Sequence, residues 1–318
     1  MLVSVVIPSY NHARYIMSAV DSVLGQSFRK IELVVVDDGS KDESVEMLRR
    51  VRDPRLKLHV QENQGAHAAI NRGLALSQGD YLAILNSDDV FHPDRISECL
   101  SSMDASGADL ACTWIEVVDA VGASKGVKRG WQNMRPGWAS GPGSHGFWNG
   151  DDFRLNLLSS NFVSTTSNIL MRRSVLNRVG GMRNLRYAHD WDFMLRASAQ
   201  VPCMLVPKPL MQYRLHGANT ISTYRKWMMF EVCWVLAANL HRFEGSDLYG
   251  LETADVEQRI AMLRSVDASI RVGGCDRLLW ILRQYINSRA RAGDPAPGED
   301  LLEDATLREA FIELVDDE

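Results

Sequence analysis

Several features that would commit a chain to a common class are scarce here. Five cysteines, Cys99, Cys112, Cys203, Cys233 and Cys275, are scattered through 318 residues, with no CxxC spacing and no His/Cys cluster. Such an odd, dispersed set argues for reduced core thiols in a reducing compartment and against a structural zinc site. Long apolar runs are also missing. No window reaches about 18 uninterrupted apolar residues, so no transmembrane helix is expected. The longest candidate, residues 227–240, is broken by Glu231 and Asn239 and reads as a helix buried in protein or lying at a membrane interface. No signal peptide is expected, because a strand-like run starts at Leu2. Basic excess is lacking: the formal net charge is −5 and the pI about 5.9, which excludes a general nucleic-acid binder while leaving basic residues to gather locally around phosphates. Neither GxGxxG nor GxxxxGK[ST] occurs, so neither the dinucleotide fingerprint nor the P-loop explains a nucleotide site.

What is present is an ordinary globular composition, 46% apolar and 24% charged. The length fits one large α/β domain with an appendage, or two domains. Residues 3–7 form a continuous apolar strand closed by Pro8, and a helical pattern over 13–24 follows, with Asn11 as N-cap candidate. Residues 31–36 read as a second buried strand ending in Asp37-Asp38-Gly39-Ser40, with Ser40 or Asp42 to cap the next helix. Residues 56–60 are a third strand, Glu62-Asn63-Gln64-Gly65 a turn into a third helix, and 81–85 a fourth strand. This β-α-β-α-β-α-β spacing is that of a parallel, doubly wound sheet. Polar strand ends around Ser9, Asp38 and Asp88 then line one edge, where ligands bind in such sheets.

The fourth strand delivers Asn86-Ser87-Asp88-Asp89 to that edge. Two adjacent carboxylates repel unless positive charge sits beside them, and a divalent metal with ligand phosphates is the usual answer. The competing reading is an Asp pair capping the helix after Pro93. A helix over 93–103 and a strand over 109–118 lead into a long segment, 119–150, rich in Gly, Pro, Ser and Trp. Loops of that length are usually lids or binding loops. Its Trp131, Trp138, Phe147 and Trp148 suit either a sugar-facing loop or a small subdomain.

Residues 161–171 read as a strand, and a short helix to Val179 is stopped by Gly180-Gly181. In His189-Asp190-Trp191-Asp192-Phe193-Met194-Leu195-Arg196, Asp192 and Arg196 are i,i+4 ion-pair partners on a helix, which leaves Asp190 for chemistry or for a plain N-cap. Residues 201–206 and 210–213 read as edge strands, with prolines at permitted ends. His216, beside Arg214 in the following polar loop, suits a metal, a phosphate or a structural role. From residue 224 the composition turns helical, over about 224–243, 252–270 and 274–292, before an acidic tail.

Four motifs now coincide: Val5-Val6-Ile7-Pro8-Ser9-Tyr10-Asn11, Val36-Asp37-Asp38-Gly39-Ser40, Asn63-Gln64-Gly65 through Asn71-Arg72-Gly73, and Asn86-Ser87-Asp88-Asp89. In order and spacing they resemble glycosyltransferase family 2. The resemblance continues through His189-Asp190-Trp191-Asp192 and Tyr213-Arg214-Leu215-His216, covering roughly residues 3–222. It implies the GT-A fold, a Rossmann-like, mainly parallel mixed α/β sheet flanked by helices. The expected domains are 1–223, with a nucleotide half 1–104 and an acceptor half 105–223, and a helical region 224–318.

By that resemblance the chain moves a sugar, with inversion and in a hexosyltransferase-type reaction, from a UDP- or dTDP-type donor to a hydroxyl of a glycan or lipid-linked acceptor in surface polysaccharide biosynthesis. Pro8, Ser9, Tyr10, Asn11, Asp38, Asn63, Gly65, Asn71, Asn86, Ser87 and Asp88 would line the nucleotide-sugar site. Asp88 and His216 would hold Mn2+ or Mg2+, Asp190 would be the general base, and Asp89, Trp148, His189, Trp191 and Arg196 would stand near the acceptor or support the site. Two positions depart from the family pattern: Asn86 replaces the first aspartate of Asp-x-Asp, and His189 the glutamate of a Glu-Asp pair. A cytoplasmic location, peripheral membrane contact at the inner face or a homodimer through the C-terminal helices, and no nucleic-acid partner complete the expectation. The competing functions are a sugar nucleotidyltransferase, for which a Gly-rich basic loop after the first strand is missing, and a catalytically weak glycan- or nucleotide-binding homologue.

Overall fold

The computed structural model describes residues 1–132, 152–217, 224–243, 257 and 275–315. The segment carrying Trp138, Phe147 and Trp148 and, apart from residue 257, the expected helix over 252–270 lie outside the described residues.

Strands β1 (Val3–Ser9), β2 (Ile31–Asp37), β3 (Leu56–Val60) and β4 (Tyr81–Ile84) pair in parallel in the order β3-β2-β1-β4. Helices α1 (Ile16–Leu24), α2 (Ser44–Arg50) and α3 (Ala66–Leu76) connect them. Every residue of β1 and β2 is buried, as expected of parallel strands covered on both faces. Ser9 pairs with Asp37 in register, so the polar ends of β1 and β2 share one edge of the sheet, and β4 runs parallel beside them.

Gly73 shows how tightly α3 lies on this sheet. A Cβ there would stand 2.3 Å from Val6 Cγ1. Gly73→Ala is expected to cost about 1–3 kcal/mol through overpacking. The check is a lower urea midpoint at unchanged m-value; an unshifted midpoint would contradict the close approach.

Further along the chain come β5 (Val90–Phe91), α4 (Arg95–Ser106), β6 (Leu110–Val118), β7 (Ser124–Lys128), α5 (Phe153–Ser159), β8 (Leu170–Arg172), α6 (Arg173–Val179), α7 (His189–Ser198) and β9 (Cys203–Arg214). Among the described residues the nine strands join one sheet, ordered β3-β2-β1-β4-β8-β6-β9-β5, with β7 on β6. The longest ladders are parallel, while β8 is antiparallel to both its neighbours, so the sheet is mixed.

The local differences from the sequence reading have identifiable causes. Asn11 does not cap α1, which begins at Ile16. Asn11 instead takes φ 53°, and its side-chain oxygen accepts the Lys41 N–H at 2.7 Å, tying the turn after β1 to the turn after β2. Ser40 is likewise spent on Asp37, at 2.7 Å, while Asp42, the other candidate, accepts the N–H of Ser44, the first residue of α2, at 3.0 Å, with Glu43 at the N-cap position. Of residues 161–171, read as a strand, only Leu170 and Met171 are strand, in β8. Asn168 uses its side chain as a substitute peptide, accepting the Thr113 N–H and donating to the Thr113 carbonyl, both at 2.9 Å, and the chain there forms a 3₁₀ turn, Thr166–Asn168. Residues 124–128, read as part of a long loop, pair as β7. The two expected edge strands are one strand, β9, bonded on both sides. Its register against β6 slips between Thr113, opposite Val206, and Trp114, opposite Pro209, so Pro207 falls at the irregularity while Pro209 stands in register.

The chain forms two compact units. The sheet lies in the first, drawn from Met1–Trp138, Val163–Met182 and Gln200–Gly217. The second comprises Ala139–Phe162, Arg183–Ala199 and Ala218–Glu318. It contains α5, α7, α8 (Arg225–Asn239), α9 (Asp276–Arg291) and two short helices in the acidic tail, α10 (Asp300–Glu303) and α11 (Ala305–Ile312). Thus α7 belongs with the C-terminal helices, although it stands inside the chain segment first read as the transferase domain. The core of this unit includes Phe193, Phe230, Trp234, Leu282 and Leu301. The run read as either a buried or an interfacial helix is α8, whose residues from Met229 to Asn239 are buried except at position 232. Among the described residues no helix is long and apolar enough to cross a membrane.

Candidate active site

Within the sheet unit, the chemistry gathers where β1 and β4 end. Asp88 follows β4, His12 follows β1, and His216 follows β9. His216 Nε2 lies 3.0 Å from Asp88 Oδ2, both side chains being largely buried. One ligand atom from each of His12, Asp88 and His216 lies within 4.8 Å of the others. Ser87 bridges to the group, its hydroxyl 2.7 Å from His12 Nδ1. Tyr15 stacks at a tilt on His216, ring centroids 5.0 Å apart, and the Arg214 guanidinium lies over the other ring, 5.2 Å from the Tyr15 centroid. Two imidazoles and a carboxylate are a donor set suited to a divalent ion, so these residues fit the metal that the family resemblance implies.

The neighbouring residues of the acid motif do other work. Asp89 is buried. Its carboxyl accepts the Ser167 hydroxyl at 2.6 Å and the Arg214 N–H at 3.0 Å. Burial, then the charge of Asp88, pushes it well above the usual carboxylate range. Asn86 has both ends of its amide engaged: Nδ2 donates to Thr165 Oγ1 at 3.0 Å, and Oδ1 accepts the Thr166 hydroxyl at 2.9 Å. Beneath them the fully buried Arg95 donates to Thr113 Oγ1 at 2.8 Å and to the Ser167 carbonyl at 3.2 Å.

The other expected nucleotide-site residues of this unit divide into scaffold and surface. Asp38 accepts the N–H groups of Gln64 and Gly65, at 2.9 and 2.8 Å, and Gln61 Nε2 at 2.7 Å; it builds the turn ahead of α3. Gly65 permits that turn with φ 92°. Asn71 clamps Met182, donating to its carbonyl and accepting its N–H, both at 2.8 Å. Ser9 donates to Asp37 at 3.1 Å, and Pro8 lies buried within β1. Tyr10 and Asn63 are exposed at the edge, and Tyr10, at 45% exposure, is a large ring open to a ligand.

In the helical unit, Asp190 opens α7 and is 6% exposed. Its Oδ1 accepts the Trp191 N–H at 2.7 Å, and its Oδ2 accepts Asn161 Nδ2 at 3.2 Å. Trp191 donates its indole N–H to the Leu157 carbonyl at 2.8 Å. Burial, ahead of the opposing pull of Asp190, holds the His189 imidazole below its usual pKa, and its Nδ1 lies 3.2 Å from the Leu185 carbonyl. The expected pair of Asp192 and Arg196 is present at 2.9 Å, and Arg183 and Asn239 complete a buried cluster, at 2.9 and 3.0 Å from Asp192.

Two residues escaped the sequence reading. Glu231 on α8 is 1% exposed and receives the N–H groups of Arg186, Tyr187 and Ala188 at 2.8, 2.7 and 3.1 Å, fixing the chain that leads into Asp190. Its signal was a lone acid in an apolar run. His12 was legible only as the residue after Ser9-Tyr10-Asn11. Trp148 lies outside the described residues.

These features can be set against known proteins. The curated relatives include the succinoglycan biosynthesis protein ExoO of Rhizobium meliloti, 37% identical over 123 residues, 38% of this chain and 35% of that protein. Solved structures with the same fold include S. aureus TarS in complex with UDP-GlcNAc, with TM-score 0.57 and 18% identity, covering 97% of this chain and 92% of that one. They also include the mannosyltransferase PcManGT from Pyrobaculum calidifontis in complex with GDP-Man and Mn2+, with TM-score 0.52 and 16% identity, covering 98% and 84%. The chain spans about a third to two thirds of the length of the first curated relatives it matches. Likeness at these identities establishes the GT-A fold. The profile described as "Glycosyl transferase family 2" matches residues 4–180, more than half of the chain, and so this chain belongs to glycosyl transferase family 2.

Proposed function

We propose that this chain is an inverting, metal-dependent glycosyltransferase that moves a sugar from a nucleotide diphosphate donor to a hydroxyl of a glycan or lipid-linked acceptor in polysaccharide biosynthesis. The observation that carries this reading is the Asp88–His216 pair at the polar strand edge of a family 2 sheet. Asp88 and His216 would hold the ion. When bound there, a divalent cation supplies Lewis-acid neutralisation of the charge that develops on the departing nucleoside diphosphate. Exposed Tyr10 and the turn built by Asp38 suit the nucleoside. Asp190 accepts the acceptor's proton while its oxygen attacks the anomeric carbon, and the bond from that carbon to the diphosphate breaks on the opposite face. One base with no enzyme nucleophile gives a single displacement, hence inversion.

The choice of UDP- or dTDP-sugar, the hexosyl nature of the transferred group and a cytoplasmic location remain parts of this proposal. So does attachment at a membrane or to a second copy through α9, where exposed Trp280 is flanked on the helix by exposed Arg277. A binding-only homologue disabled by Asn86 is less well supported, because three ligand atoms cluster without any contribution from Asn86.

The test is incubation of the whole chain with a panel of nucleotide sugars and Mn2+ or Mg2+. The expected result is metal-dependent release of nucleoside diphosphate from one donor. A donor at 100 times its Kd should also stabilise the fold by about 2.7 kcal/mol. Binding of donors without any hydrolysis or transfer, under every metal and acceptor tried, would favour the binding-only reading.

A further inference from the structure

The acid run after β4 is poorer in cation ligands than its sequence suggests. Asn86 gives both ends of its amide to Thr165 and Thr166, and Asp89 gives its oxygens to Ser167 and Arg214. Within residues 86–89 only the Asp88 carboxylate is turned toward His216. Against this, a second imidazole stands in the cluster. His12 meets His216 edge to face with ring centroids 5.8 Å apart, and Ser87, the residue before Asp88, sets its rotation through the 2.7 Å contact to Nδ1. A hydrogen bond of that kind on a ring nitrogen is how ligating histidines are oriented.

We propose that His12 is the third protein ligand of the cation, and that the resulting two-nitrogen, one-carboxylate site selects a first-row transition ion of the Mn2+ or Co2+ type over Mg2+. The inference rests on the reading that Asp88 and His216 hold a divalent ion. Its physical basis is ligand chemistry. Mg2+ prefers an octahedron of oxygen atoms and sheds water reluctantly, whereas imidazole nitrogen is a good ligand for transition ions. Replacement of an oxygen motif by Asn86, with two histidines in reach of the remaining carboxylate, shifts the donor set in that direction. Three protein donors also allow the ion to bind before any nucleotide supplies phosphate oxygens.

The experiment is titration of the nucleotide-free, metal-stripped whole chain with Mn2+, following loss of the free-ion EPR signal, with and without competing Mg2+. Wild type, His12→Ala, His12→Gln and Asp88→Asn are compared after circular dichroism has confirmed their folds. Wild type should bind Mn2+ in preference to Mg2+. His12→Ala and His12→Gln should each weaken Mn2+ by about 10–100-fold and leave Mg2+ binding nearly unchanged, so that the preference collapses. His12→Gln covers the case in which the alanine variant fails to fold. Equal Mn2+ affinity in wild type and a folded His12 variant, with loss in Asp88→Asn, overturns the role of His12 and spares the metal reading. Unchanged Mn2+ binding in Asp88→Asn overturns both.

Discussion

Asp190→Asn is expected to lower the transfer rate by about 10²–10⁴-fold while leaving donor affinity and stability close to wild type. The amide keeps an oxygen to accept the Trp191 N–H at the start of α7 and gives up only the longer 3.2 Å contact from Asn161 Nδ2, so the local fold survives the exchange. What it loses is a second oxygen able to take a proton. The chain just before Asp190 is anchored independently of it, by Glu231 receiving three consecutive backbone N–H groups. Turnover and donor binding should therefore separate, with kcat falling and the calorimetric Kd for the nucleotide sugar unchanged. Full turnover in the variant would remove Asp190 from the role of base. A parallel loss of donor binding would point to a structural part instead.

Asp192→Ala has the largest expected effect on stability, about 3–5 kcal/mol. The carboxylate is completely buried, and both oxygens are committed: Oδ1 to Arg183 and Asn239, Oδ2 to Arg196. Removing it takes the Asp192 carboxylate away from the nearly buried Arg196, and breaking a buried pair by removing one partner costs more than the modest net value of the intact cluster. Burial by itself would raise the Asp192 pKa, but Arg196 and Arg183, helped by Asn239, bring it below the ordinary value. A carboxyl depressed in the folded state contributes stability that is complete above its unfolded value, near ~3.9, and is lost as pH falls through the lower folded value. Urea midpoints of wild type should therefore decline on that acid limb, and the Asp192→Ala midpoint should be lower at neutral pH and flatter there. Equal midpoints at neutral pH would show that the cluster contributes little.

Much of the sheet unit is legible from the chain. Strands β1, β2 and β4 are short, mainly apolar runs that end in polar residues, β3 alternates leucine with Lys57 and His59, and the parallel register that follows puts Ser9, Asp37 and Asp88 toward one edge. The pairing of Asp192 with Arg196 was also readable, because i,i+4 spacing on a helix is a local fact. Less visible was everything that depends on a side chain replacing backbone. Residues 161–165 have the composition of a strand, yet Thr165 and Asn168 bond the chain into a turn. Prolines 207 and 209 suggest two edge strands, whereas one strand carries both, with Pro207 at a register slip and Pro209 in register opposite Trp114.

By itself, then, the sequence determined the family, the parallel half of the sheet and the acids delivered to its edge, because hydrophobic period and turn chemistry act over a few residues. Tertiary structure decided which of those acids remain for a ligand. Asp89 and Asn86 are consumed by partners some 80 residues or more away, while His12 and His216, distant in sequence, meet Asp88. It also decided that α7 packs with the C-terminal helices, since one partner of Asp192, Asn239, and the acceptor of the 186–188 backbone, Glu231, come from α8. A buried polar atom must find a partner wherever the fold supplies one, and that search is not confined to neighbours along the chain.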